Sequence, residues 1–236
     1  MKLKGKTGVF TGGEGPLGRI VCRKFLAEGA SLVIAWYAAE EWDEARNLIE
    51  EYKEQFIAVQ VDASQEDQVA ALMKKANDTF GSIDILLHMV GMYHSGNMLW
   101  ETDTAVYDRL MEVNLKSAFL CAKHALRYML KKAQGRIVLF PARIAAEPQP
   151  KYGAYAISKA GLITLVQVLR EELKETPITV NAVMPSVMET FRTRKIPNAP
   201  LEKWVSPAKV ADLLYAVCAD DFDIMSGSLI KVFGKL

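Results

Sequence analysis

The chain alternates seven times between strand-like and helix-like hydrophobic patterns, and this limits its fold more than any other feature. Short apolar runs at 6–11, 31–35, 56–61, 83–89, 136–140, 179–183 and 228–232 read as strands. Helical patterns lie between them at 19–28, 40–54, 64–80, 104–132, 153–174 and 207–218. The run 83–89 is apolar throughout, as a strand covered on both faces requires. Gly29 and Gly81 stop two of the helices, and Ser64 is expected to cap the start of the third. No repeat, linker or composition break interrupts the series. The prediction is an α/β fold: one doubly wound domain over residues 1–236, a parallel sheet of about seven strands with helices on both faces. Ligands in such sheets bind beyond the carboxyl ends of the strands.

Bulk properties exclude several classes. With 236 residues, half of them hydrophobic and 24% charged, the chain can bury a sizeable core. A net charge of +1 implies no nucleic acid or other polyanion as partner. No apolar stretch is long enough to span a membrane and no signal peptide opens the chain, so a cytoplasmic location is expected. Cys22, Cys121 and Cys218 are far apart, and His88, His94 and His124 do not join them in ligand spacing. No metal is expected, and the thiols read as buried side chains of a reducing compartment.

Gly13-Glu14-Gly15-Pro16-Leu17-Gly18 matches the Gly-x-Gly-x-x-Gly pattern and falls between a strand and a helix. There, glycines allow a tight turn, and the helix N-terminus offers amides to a pyrophosphate. A tight turn that binds nothing is the competing reading. Pro16 suits the first helical turn but removes one donor. Glu14 brings a carboxylate near the expected phosphates. The second strand ends Ala35-Trp36-Tyr37, without the acid that commonly holds a ribose or the base that accepts a 2′-phosphate. Trp36 either stacks on adenine or plugs the pocket. Glu40 and Glu41 are read as helix-opening acids.

Tyr155-Ala-Ile-Ser-Lys159 pairs a proton donor with a nearby ammonium. Together with the glycine turn, it makes the chain similar to the short-chain dehydrogenase/reductase family along nearly its whole length. The resemblance implies a Rossmann-type fold and NAD or NADP as cofactor. Thr11, Gly12 and Gly18 meet the family's glycine turn, with Pro16 for its middle glycine. Asp62 fits the adenine-contacting aspartate. His88-Met89-Val90-Gly91 takes the place of Asn-Asn-Ala-Gly, keeping only the glycine. Asn114 fits the active-site asparagine, and Thr190 the threonine that contacts the carboxamide, with Ser186 for a glycine before it. The implied catalytic residues are therefore Tyr155, Lys159 and Asn114. The implied cofactor residues are Gly12, Gly13, Gly15, Leu17, Gly18, Trp36, Asp62, Ala63, Gly91, Tyr155, Lys159 and Thr190.

Thirteen residues before the tyrosine, where the family has a serine, stands Ala142. Arg143 is read either as a substitute donor or as a surface cation, and Ser158 as lying off the Tyr155/Lys159 face. The resemblance leaves three readings open. One is an NAD(P)-dependent reductase or dehydrogenase of a carbonyl-like small molecule. Another is a catalytically impaired subunit, scaffold or nucleotide sensor. The third is an activity like that of the dihydropteridine reductases, which keep the tyrosine and lysine with alanine at the serine position. The family also implies a homodimer or homotetramer, or a hetero-oligomer with an active paralogue, packed through helices 104–132 and 153–174. Leu162, Leu165, Val166 and Leu169 fit that face or an intrachain core equally well. Residues 191–204 fall where the family has a substrate lid.

Overall fold

The computed structural model describes residues 1–219 and 223–235. Seven strands form one sheet: β1 (Thr7–Thr11), β2 (Ser31–Trp36), β3 (Phe56–Gln60), β4 (Ile85–His88), β5 (Gly135–Leu139), β6 (Ile178–Pro185) and β7 (Leu229–Val232). Their order is β3-β2-β1-β4-β5-β6-β7, and every pairing is parallel. This is the predicted doubly wound sheet, with the switch of direction between β1 and β4.

Side-chain alternation builds two cores from single strands. Val9 and Val33 face one cluster with α3 (Glu66–Phe80), α5 (Ser117–Lys132) and α7 (Gly153–Glu172). Phe10, Leu32 and Ile34 face the other, with α1 (Gly18–Ala27), α2 (Ala39–Asn47) and α8 (Pro207–Cys218). The three cysteines are buried and free, as expected of apolar thiols.

Several boundaries differ from the pattern reading. The helix expected over 40–54 ends at Asn47, because the chain leaves helical geometry at Ile49 (φ −127°), whose side chain is buried. The helix expected over 104–132 is α4 (Thr104–Leu110), a π-helical segment Met111–Lys116 and then α5. A short helix, α6 (Arg143–Ala146), had no periodicity to announce it. Ser64 does not cap α3: its hydroxyl donates to Asp62 Oδ1 at 2.7 Å, and Gln65 occupies the cap position. Leu162, Val166 and Leu169 belong to the intrachain core, which leaves Leu165 only partly buried beside it. Among the described residues no helix is long and apolar enough to cross a membrane.

At the opposite end of the sheet from the site, Asp84 holds three strands in register. Its backbone pairs with Thr7 O and Arg136 N, each at 2.8 Å. Its buried carboxylate accepts from Thr7 N at 2.8 Å, Ser82 Oγ at 2.9 Å and Lys132 Nζ at 2.5 Å. Asp84→Ala orphans these donors, and urea denaturation is expected to show a loss of about 2–4 kcal/mol.

Candidate active site

β1 and β4 end side by side, and their loops diverge to opposite faces. The turn after β1 is as tight as the glycine spacing suggested. Gly12 adopts φ +73°, and a Cβ there would meet the Met89–Val90 backbone at 3.0 Å. A Cβ on Gly18 would collide with Gly12 O, so α1 can start this close to β1 only with glycine. Gly13 is similarly closed off by Ile34, whereas Gly15 faces open space apart from Gly12 O at 3.3 Å.

A cleft of about 260 Å³ opens over this turn. Of the expected cofactor residues, Gly12, Gly15, Trp36, Asp62, Ala63 and Gly91 line it. Gly13 and Gly18 shape the turn from beneath. Leu17 does not line the cleft; its side chain is buried in the core on the α1 face. Trp36 lies parallel to Trp42, centroids 5.9 Å apart, so one of its faces is already covered. Asp62 is held by Ser64, whose amide donates to Oδ1 at 2.9 Å. Thr190 hydrogen-bonds within its own loop, its amide donating to Thr193 Oγ1 at 2.8 Å.

Glu14 lines the cleft, as its place in the glycine turn implied, and Glu41, read only as a helix-opening acid, joins it there. Glu14 is 8% exposed, and its Oε1 accepts from the Tyr37 amide at 2.9 Å. Glu41 opens α2 as predicted, but it also pairs with Arg192 and lines the same cleft. The segment after Thr190 is held over this end, with Phe191 4.5 Å from the Arg19 guanidinium.

Lys159 and Asn114 converge at the other end of the cleft, at Gly91, and Tyr155 lies one helical turn before Lys159 on α7. A Cβ on Gly91 would stand 2.8 Å from Lys159 Nζ and 3.3 Å from Asn114 Oδ1. Asn114 is fully buried in the π-helical segment. Its Oδ1 accepts from Met92 N at 2.7 Å, and its Nδ2 donates to Met92 O at 3.0 Å and Ser158 Oγ at 2.9 Å. Ser158 in turn donates to Tyr155 O at 2.8 Å, so it ties Asn114 to the tyrosine helix. Lys159 Nζ donates to Phe140 O at 3.1 Å, and burial lowers its pKa to about 8. Burial, then the nearby Tyr93, pushes Tyr155 up to about 12. The Tyr93 ring lies 5.4 Å from Tyr155 and its hydroxyl 3.4 Å from that of Tyr152, an aromatic wall that no motif flagged. Arg143 is engaged elsewhere: Nε donates to Glu147 at 2.6 Å, and the guanidinium lies 5.1 Å from the Phe233 ring.

His88 explains one departure from the family pattern. Its Nδ1 is 2.8 Å from Thr11 Oγ1 and its Nε2 3.0 Å from Ser117 Oγ. Ser117 Oγ donates to Val113 O at 2.5 Å, so His88 Nε2–H donates to Ser117 and Nδ1 accepts from Thr11. The ring is neutral, its pKa lowered to about 3 by burial and then by Lys159. The imidazole thereby links the end of β1, the end of β4 and the segment that carries Asn114.

The short chain dehydrogenase family profile matches residues 6–200. The chain therefore belongs to the short-chain dehydrogenases, a family of oxidoreductases, and NAD(P)-dependent hydride transfer is consistent with its relatives. It is 29% identical over 238 residues to the cis-4-hydroxycyclohexanecarboxylate dehydrogenase of Sinomonas cyclohexanicum, covering 97% of this chain and 95% of the relative. It is 27% identical to the 3-oxoacyl-acyl-carrier-protein reductase FabG of Thermotoga maritima, covering 100% of this chain and 99% of the relative. Among solved structures, ElxO with NADP bound superposes with a TM-score of 0.91 at 25% identity, over 97% of each chain. A short-chain dehydrogenase/reductase from Serratia marcescens shares the fold, with a TM-score of 0.89 at 22% identity over 100% of this chain and 99% of that one.

The His88 bridge sets a stability test. His88→Leu leaves Thr11 and Ser117 without their buried partner and is expected to cost about 2–3 kcal/mol in denaturant titration. His88→Asn, which restores the residue type of the family pattern, is expected to cost less.

Proposed function

We propose that the chain, acting as one domain, is an NAD(P)-dependent oxidoreductase of a small carbonyl or alcohol, with Tyr155, Lys159 and Asn114 as its working group. The observation that carries this reading is the convergence at Gly91. The glycine-walled cleft reaches this residue, and the Lys159 ammonium and Asn114 carboxamide occupy the space that its missing side chain leaves.

The residues present fit a dinucleotide. The open face of Gly15 and the start of α1 suit a pyrophosphate, and Asp62 and Ala63 suit the adenine end. Bound NAD(P)H supplies the hydride. Tyr155, protonated at neutral pH as tyrosines are and held further so by its burial, donates its proton to the substrate oxygen as the carbon is reduced. By the family resemblance, the Lys159 ammonium offsets the charge of the tyrosinate left behind. Asn114, fixed through Met92 and Ser158, holds the helix that carries both groups. The chemistry of the named relatives, a hydroxycyclohexanecarboxylate and a 3-oxoacyl group, supports a ketone or secondary alcohol as the substrate class. Exposed Phe119, Ile157 and Val168 on α5 and α7 support a homo-oligomer through that face, as the family expectation has it.

A second reading has its own observation. Ala142 stands where the resemblance places the family's serine and has no hydroxyl, and Arg143 is held by Glu147, so neither residue offers a second donor to a developing alkoxide. A nucleotide-binding subunit with little turnover follows from that.

The test is NAD(P)H oxidation over a panel of cyclic ketones, 3-oxoacyl thioesters, quinones and dihydropterins, beside binding measured by fluorescence. Turnover that Tyr155→Phe lowers by about 100-fold or more, with binding kept, supports the enzyme. Binding without any turnover leaves the second reading, and no binding of either nucleotide defeats both. With Lys159 lowered to about 8, the reductive rate should be flat below that pH and fall above it as the ammonium loses its proton. A rate that rises through pH 8 would contradict the role given to Lys159.

A further inference from the structure

The adenosine end of the cleft carries two carboxylate oxygens that no described residue satisfies. Glu14 Oε2 and Glu41 Oε2 are both buried, and neither has a hydrogen-bond partner among the described residues. Glu14 is more than nine-tenths buried. Its other oxygen is fixed by the amides of Tyr37 at 2.9 Å and Ala38 at 3.5 Å, so the carboxylate from the glycine turn lies against the end of β2. That is where the sequence lacked an acid of its own. Leaving such an acceptor buried and unmatched costs free energy that a donor from a ligand recovers.

The basic groups nearby do not cancel this charge for an incoming anion. Arg192 lines the cleft but is paired with Glu41 Oε1, and Arg109 is paired with Glu112 at 3.0 Å. Arg19 is spent behind the wall: Nε and Nη2 donate to Glu14 O, and Nη1 pairs with Glu44 at 3.1 Å. Asp62 adds a third acid to the lining.

We infer that Glu14 and Glu41 form a diol-reading pair that selects NAD(H) over NADP(H), a specificity carried by the glycine turn and α2 in place of the last residue of β2. This rests on the cleft being a dinucleotide site. Ribose hydroxyls are donors and match two free acceptor oxygens. A 2′-phosphate is an acceptor-only dianion and faces like charge there.

The test is calorimetric titration of the full chain with NADH, NADPH, ADP-ribose and 2′-phospho-ADP-ribose. The unphosphorylated member of each pair is expected to bind at least about ten-fold more tightly. Glu14→Gln keeps the acceptor for Tyr37 N and removes the charge, and Glu41→Gln does the same in α2. Each should narrow the preference, chiefly by tightening the 2′-phosphorylated ligands, with unchanged melting temperature showing that the fold is kept. Equal or tighter NADPH binding by the unsubstituted chain overturns the inference while leaving the proposed function intact. So does a preference that neither substitution moves. If Arg192→Ala abolishes an NADPH preference, Arg192 is the phosphate reader and the carboxylate pair is not the selector. Failure of all four ligands to bind would instead defeat the proposed function itself.

Discussion

β1 runs between β2 and β4, and the chain leaves it to cross one face of the sheet, whereas it arrives at β4 from the other. The strand ends therefore cannot be bridged by a single connection, and a crevice opens where the two loops part. The glycine turn and the helix it starts sit on one lip. Gly91 and the segment leading to Asn114 sit on the other. What keeps the lips in register is the neutral His88 ring, which spans from Thr11 to Ser117 through two hydrogen bonds. Burial holds the ring neutral, so with Nε2–H donating to Ser117 the Nδ1 atom accepts from the Thr11 hydroxyl.

At the Gly91 end of this crevice the polar groups are satisfied in a chain, each by the next. Asn114 uses both ends of its carboxamide on Met92 and still reaches Ser158, and Ser158 passes the contact to Tyr155 O. The π-helical segment accounts for how one helix can aim Asn114 inward and then return to regular geometry at Ser117. Lys159 is the costly member. Burial opposes its charge, and it donates to the backbone carbonyl of Phe140, so the site keeps an ammonium where the core would favour a neutral side chain. Such a group is retained against stability, which is the pattern of a site built for chemistry.

Much of this was legible because it depends on spacing within short windows. The strand–turn–helix context of Gly12 to Gly18, the four-residue step from Tyr155 to Lys159 and the position of Asp62 after β3 follow from local pattern. Glu41, Arg192 and Ser158 were not legible, because their partners lie far along the chain: Glu41 and Arg192 are separated by 151 residues. Glu14 was seen but misread. Its carboxylate looked like an obstacle to phosphate, whereas its fixed oxygen lies on the backbone after β2. Leu17 fell inside the motif yet points into the core, since a motif counts residues and does not say which way side chains face. His88 and Ser186 looked like losses. His88 carries the strand bridge, and the Ser186 hydroxyl donates to Phe233 O at 2.8 Å.

The central claim is that the crevice between β1 and β4 takes a dinucleotide along its glycine lip. Hydrogen exchange of the backbone amides, read by mass spectrometry with and without saturating NADH, tests it most directly. The account predicts slowed exchange in peptides covering residues 12–18 and 61–64, with the far end of the sheet around Asp84 unchanged. Bound NADH that leaves the exchange of both segments untouched would contradict it.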